Sequence, residues 1–135
     1  MSRLYELNAA SDPVAAFEVA NDGATVTIKG VEVISDKSKS RYQLKSREID
    51  VRKGGSYRVT FDIELVQGGM ALGVLDVDRQ LWILQIPLMQ GQHEEQSFEF
   101  SSPGKQCQIV LQTDNAKPEV SISYLRKLAL DEIKK

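Results

Sequence analysis

Three places in this chain hold residue types that do chemistry: the Asp-x-Asp pair Asp76-Val77-Asp78, the sole tryptophan Trp82, and the sole histidine His93. Two carboxylates two residues apart offer hard oxygen ligands to a divalent cation. In sugar-nucleotide transferases such a pair bridges a metal to a diphosphate, but that chemistry needs strands alternating with long helices, and none is legible here. Two carboxylates are also fewer than a calcium site usually recruits. The plainer reading is a tight turn, in which Asp side chains bond to nearby backbone. No metal ligand is expected.

Trp82 sits in "QLWILQIPL". Period-two alternation would put Trp82, Leu84 and Ile86 on one face of a strand and Leu81, Ile83 and Gln85 on the other. A strand apolar on both faces reads as central, with both sides covered. Trp82 is then either core packing or the floor of a binding cleft. In a cleft, a flat ring attracts the apolar C–H faces of sugar rings, with Asp78, Arg79, Gln80 and Gln85 as polar neighbours for the hydroxyls.

His93 falls in "MQGQHEEQS", which reads as a polar loop where an imidazole beside Glu94 and Glu95 is simply solvated. A general base needs a positioned partner and shelter, and neither is evident. Cys107, the single cysteine, has apolar residues at alternate positions in "QCQIVLQ". It reads as a buried thiol, and alone it forms no internal disulfide. The sequence holds no nucleophile elbow, P-loop, zinc-spaced Cys or His pair, or dinucleotide glycine motif. No catalytic residue is expected, and the chain is read as not an enzyme.

The elements that position these residues are strands. In "SYRVTFDIELV", Tyr57, Val59, Phe61, Ile63 and Leu65 share one face while Arg58, Thr60, Asp62 and Glu64 share the other. A helix would scatter these apolar residues around its cylinder. "ATVTIKGVEVI", "SFEFSS", "CQIVLQ" and "EVSISYL" behave alike, with Gly30 positioned for a bulge. Turn signals at Asn21-Asp22-Gly23, Lys53-Gly54-Gly55, Gln67-Gly68-Gly69, Ser102-Pro103-Gly104 and Asp114 to Pro118 separate the runs. The spacing predicts roughly eight or nine strands, at about 14–20, 24–34, 41–51, 56–66, 70–77, 80–86, 94–101, 106–113 and 119–130. The tail "LRKLALDEIKK" is the one helical candidate, but it reads better as strand to about Leu130. The expected fold is all-β: a two-sheet antiparallel β-sandwich of jelly-roll type, one domain over residues 1–135, either whole or a piece of a larger protein.

With 135 residues, 41% of them hydrophobic, and a net charge of −2, the chain has the makings of a substantial core. The near-neutral balance argues against nucleic acid as a partner. Lys37, Lys39, Arg41, Lys45, Arg47, Arg52 and Lys53 make 37–53 the most basic segment, read as solvated strand and loop faces. No apolar run reaches the length of a membrane-spanning helix. The start lacks the apolar centre of a signal peptide, which points to the cytoplasm if the chain is complete.

"YQLKSREIDVRKGGSYRVTFDIELVQGGMALGVLDVDRQLWI", with "FEFSSPGKQCQIVLQTDN" and "VSISYLRKLAL", resembles jelly-roll carbohydrate-binding modules of the galactose-binding-like fold. The likeness runs over about residues 24 to 130 and rests on strand cadence and apolar positions. It implies a non-catalytic domain that binds an oligosaccharide or polysaccharide, an accessory to a bacterial glycan-processing protein. On that reading Trp82 is the platform, and Arg41, Tyr42, Asp78, Arg79, Gln85 and Asn115 are its polar contacts. Many relatives hold a structural calcium with an early acid and a late aspartate. Glu18 and Asp131 stand in analogous places, but Asp131 falls past the last expected strand, and no cofactor is predicted. The alternative is a structural or protein-interaction sandwich with no sugar site, whose strand edges support a homodimer.

Overall fold

In the computed structural model, which describes residues 2–8, 17–19, 25–27, 32–35, 37 and 39–133, no helix occurs among the described residues. The strands are β1 (Ser2–Asn8), β2 (Phe17–Val19), β3 (Thr25–Thr27), β4 (Glu32–Ile34), β5 (Tyr42–Ser46), β6 (Ile49–Asp50), β7 (Ser56–Gln67), β8 (Met70–Asp76), β9 (Leu81–Leu88), β10 (Gly91–Ser101), β11 (Gln106–Thr113) and β12 (Ile122–Glu132). They form two antiparallel sheets, a β-sandwich of jelly-roll type. The first runs β10-β7-β12-β4-β3, with β1 also on β12; the second runs β2-β5-β11-β8-β9, with β6 also on β11.

Alternation builds the interior as expected. On β7, Tyr57, Val59, Phe61, Ile63 and Leu65 are all buried, while the residues between them are partly exposed. They face Leu44, Leu72, Val74, Ile109 and Leu111 of the second sheet within one apolar cluster. Each large side chain removed from water there contributes roughly 1.5–3 kcal/mol. Cys107 is fully buried in the same cluster. Burial pushes its thiol up to about 12, with the nearby Asp76 carboxylate adding to the effect.

Several sequence expectations need correction. The segment 41–51 is not one strand: it breaks at Arg47–Glu48 into β5 and β6, which pair with different stretches of β11. The Ser46 hydroxyl covers the break, accepting the buried Ile109 N–H at 2.9 Å. The N-terminal strand β1, paired along β12 from Ser2 opposite Glu132 to Asn8 opposite Lys127, was not foreseen. The tail has no helical turn; β12 continues to Glu132, so Asp131 lies inside the last strand. His93 is no loop residue. It sits in β10 opposite Ile63, half-buried, with Nε2 at 2.6 Å from the Met89 carbonyl oxygen. The Glu94-Glu95 stretch is a bulge, with Glu95 at φ 49°. The expected bulge at Gly30 and the turn at 21–23 lie outside the described residues.

Candidate functional site

The site is laid out by the second sheet, and one bulge decides it. Along β8 and β9, Val74 pairs with Leu84, but Leu75 pairs with Trp82 because Ile83 is an extra residue between them. A one-residue insertion reverses every side chain beyond it. Val74 and Leu84 pack on the core side, and Trp82 therefore falls on the outer face, out of phase with Leu84 and Ile86. Strand β9 is also the edge of its sheet among the described residues, not the covered central strand expected.

On that outer face the half-buried indole lies over Gly73, whose neighbours across the sheet are Val110 and Gln85. A methyl group at position 73 would come within 2.6 Å of Trp82 Cζ3 and 2.9 Å of the Leu84 carbonyl oxygen. A glycine inside a strand is the sign of such a close approach, and it is the signal from which sequence reasoning could have found Gly73. Tyr42, on β5, reaches the same place from the other side. Its ring centroid is 5.4 Å from that of Trp82 with the planes at 80°, an edge-to-face pair. Strands β11 and β8 separate the two residues, about 14 Å of sheet, so both rings lean inward over them. Beneath the pair, Leu75 and Val110 are buried although they point away from the core. Tyr42 keeps 37% of its surface exposed.

The other expected contacts are scattered. Gln85 is exposed, in the same cross-strand row as Gly73, and so adjoins the aromatic pair. Arg41 and Asn115 stand at the end of the sheet where β8 begins: Arg41 N–H donates to Thr113 Oγ1, and Asn115 N–H to the Lys39 carbonyl. The Asn115 amide is engaged by the chain around it, accepting from Gly69 N–H of the β7–β8 turn at 2.7 Å and donating to Ser121 Oγ at 3.1 Å. Asp78 and Arg79 are at the opposite end, beyond the finish of β8, about 20 Å away along the strand. The structure thus brings Tyr42 to Trp82 with Gln85 in the adjoining row, leaves Asp78 and Arg79 at the turn that precedes Trp82, and holds Asn115 in a loop at the far end of the sheet.

The Asp-x-Asp pair forms a turn, but not by bonding to its own backbone as expected. The buried Asp76 takes Arg79 Nε on Oδ2 at 2.9 Å, and Asp78 accepts the N–H of Lys105 from another loop at 2.8 Å. Asp76 Oδ1 has no hydrogen-bond partner. Among the described residues no group of three or more His, Cys, Asp or Glu side chains is arranged to hold a metal ion. At the place suggested for calcium, both oxygens of Asp131 are held by Arg3, at 3.0 and 3.3 Å from Nε and Nη2. That carboxylate already has a cation from its own chain, so Asp131 does not fit a metal ligand. Glu18 lies on β2 opposite Lys45, its side chain outside the described residues.

The chain matches no protein-family model and no curated protein. Its fold is that of carbohydrate-binding modules. The CBM1 module of BiXyn10A in its apo form superimposes with a TM-score of 0.62 at 11% identity, covering 96% of this chain and 98% of that one. The CBM22-1 xylan-binding domain of Paenibacillus barcinonensis Xyn10C gives 0.59 at 11%, covering 99% and 96%. The module CBM6cm-2 of Cellvibrio mixtus lichenase 5A, solved with cellotriose, gives 0.55 at 13%, covering 98% and 99%.

Proposed function

We propose that this chain is a non-catalytic carbohydrate-binding module, an accessory domain of a bacterial glycan-processing protein, binding an oligosaccharide or polysaccharide on the outer face of its second sheet. The observation that carries the reading is the Tyr42–Trp82 pair, two partly exposed rings in contact, the indole lying over a glycine of a fully buried strand. Burying aromatic surface against the C–H face of a pyranose is favourable, and the quadrupole of the ring suits those polarised hydrogens. Gln85 supplies an amide, donor and acceptor together, for a hydroxyl beside the rings. The fold supports the reading, since structural neighbours include a xylan-binding domain and a module solved with cellotriose.

The test is titration of a glycan panel against intrinsic fluorescence, for which Trp82 is the only tryptophan. A saturable change, weakened at least about tenfold in Trp82→Ala with an unchanged circular dichroism spectrum, is the expected outcome. If no glycan perturbs Trp82, the second reading takes over: a protein-interaction domain using the uncharged edge strand β9, where Leu81 is 60% exposed. A dimer by light scattering would then support it.

A further inference from the structure

The geometry points to a second contact for the saccharide, resting on the reading above: an anion-binding cleft at the Asp78–Arg79 end of the sandwich, which makes the ligand an acidic glycan. Three loops converge there, those joining β6 to β7, β8 to β9 and β10 to β11. They are tied by backbone bonds from Gly54 N–H to the Ser102 carbonyl at 2.7 Å and from Val51 N–H to the Lys105 carbonyl at 2.9 Å. The bond from Lys105 N–H to Asp78 completes the frame. Together they border a cleft of about 810 Å³ whose lining includes one cation from each loop: Lys53, Arg79 and Lys105.

Each acid at this place has one oxygen engaged, while Asp76 Oδ1 has no hydrogen-bond partner. Asp78, the acid of the lining, accepts the Lys105 N–H. Asp76 lies beneath, buried, and holds Arg79 through Nε while the arginine side chain stays 57% exposed. A guanidinium anchored at Nε by a buried carboxylate has lost much of its freedom in advance, and its two Nη groups remain available as a fork. Lys53 and Lys105 form no ion pair among the described residues. Counted against the carboxylates of Asp76 and Asp78, the three cations leave this end of a protein of net charge −2 with a local charge of about +1. A fork flanked by two ammonium groups matches a carboxylate, sulfate or phosphate ester.

Gly104 keeps the frame closed. A methyl group there would meet Asp76 Oδ1 at 2.5 Å and Asp78 Oδ2 at 2.6 Å. The cleft also adjoins the aromatic pair through the chain itself. Arg79 precedes Trp82 by three residues, at most about 11 Å of backbone, so a sugar stacked at Trp82 can place a neighbouring acidic residue over the cleft.

Two measurements on the full chain test this. Backbone amides are followed by NMR during titration with glucuronate, with glucose, and with inorganic sulfate. Affinities are then measured for length-matched acidic and neutral oligosaccharides with the native chain, Lys53→Gln/Lys105→Gln and Trp82→Ala. Glucuronate should shift Gly54 and Gly104, and glucose should not. The acidic oligosaccharide should bind about tenfold tighter at low salt, an advantage lost in the double lysine variant with neutral binding unchanged. Trp82→Ala should weaken both ligands. Equal affinity for acidic and neutral chains overturns the cleft and leaves the saccharide reading standing. So do unmoved amides, or sulfate acting as strongly as glucuronate with no gain for the acidic oligosaccharide. A chain that binds neither oligosaccharide removes both readings.

Discussion

Gly73 and Trp82 share one space: the indole of β9 occupies the volume that a side chain at Gly73 of β8 would fill, 2.6 Å from an added Cβ. Small size at one position is the condition for ring placement at the other. Tyr42 then closes against the indole from across two strands.

Gly73→Ala should therefore act on the aromatic pair at a distance from any ligand. The added methyl also meets the Leu84 carbonyl oxygen at 2.9 Å, backbone that yields less readily than a ring. Overpacking of this kind costs about 1–3 kcal/mol. Tryptophan emission should shift and glycan affinity should fall while the fold persists; an unchanged spectrum would refute the packing relationship.

Arg3 should hold the N-terminal strand to the last one. Its side chain is 44% exposed but Asp131 only 10%, so truncation strands a mostly buried carboxylate. Arg3→Ala should cost about 1–2 kcal/mol in urea unfolding. In the native chain, calcium addition or chelation should leave the melting temperature unchanged. A rise of several degrees with calcium would show that Asp131 is metal-held after all.

Ser46→Ala removes the acceptor of the Ile109 N–H where β5 and β6 part. A buried donor left unpaired costs about 1–3 kcal/mol. Amide exchange at Ile109 should accelerate by an amount larger than at Leu111, which keeps its strand partners; a uniform change would mean that only global stability had fallen.

Cys107 should make stability fall at alkaline pH. Its folded pKa, raised to about 12 from a usual value of 9.0, favours the neutral thiol in the native state. The unfolded chain loses this proton first, so the contribution is complete below about pH 9 and is lost progressively from there toward pH 12. Stability of Cys107→Ala, compared with the native chain, should decline less steeply over that window. A thiol reagent at pH 8 should react only on unfolding; prompt labelling of the native chain would contradict the burial.

The strands of the core were legible because their patterning is local. Tyr57 to Leu65 alternate without interruption, and β7 follows them with every alternate residue buried. Cys107 was placed by the same rule. His93 misled because a polar run resembles a loop; the first half of β10 tolerates it as an edge among the described residues, while Phe98, Glu99 and Phe100 further along make the side-chain contacts with β7. At Trp82 the rule failed for a different reason. Alternation carries a face forward only while the ladder is unbroken, and the extra residue at Ile83 reverses it.

By itself, then, the order of apolar and polar residues determined a two-layer antiparallel sandwich and most of its interior, since a pleated strand reports its buried face every second residue. Tertiary structure alone decided which surface residues meet: that Tyr42 reaches Trp82, that Asn115 is taken up by Gly69 and Ser121, and that Lys53, Arg79 and Lys105 surround one cleft. Those meetings depend on strand order, bulges and loop convergence, which bring together residues far apart along the chain and leave no periodic trace in it.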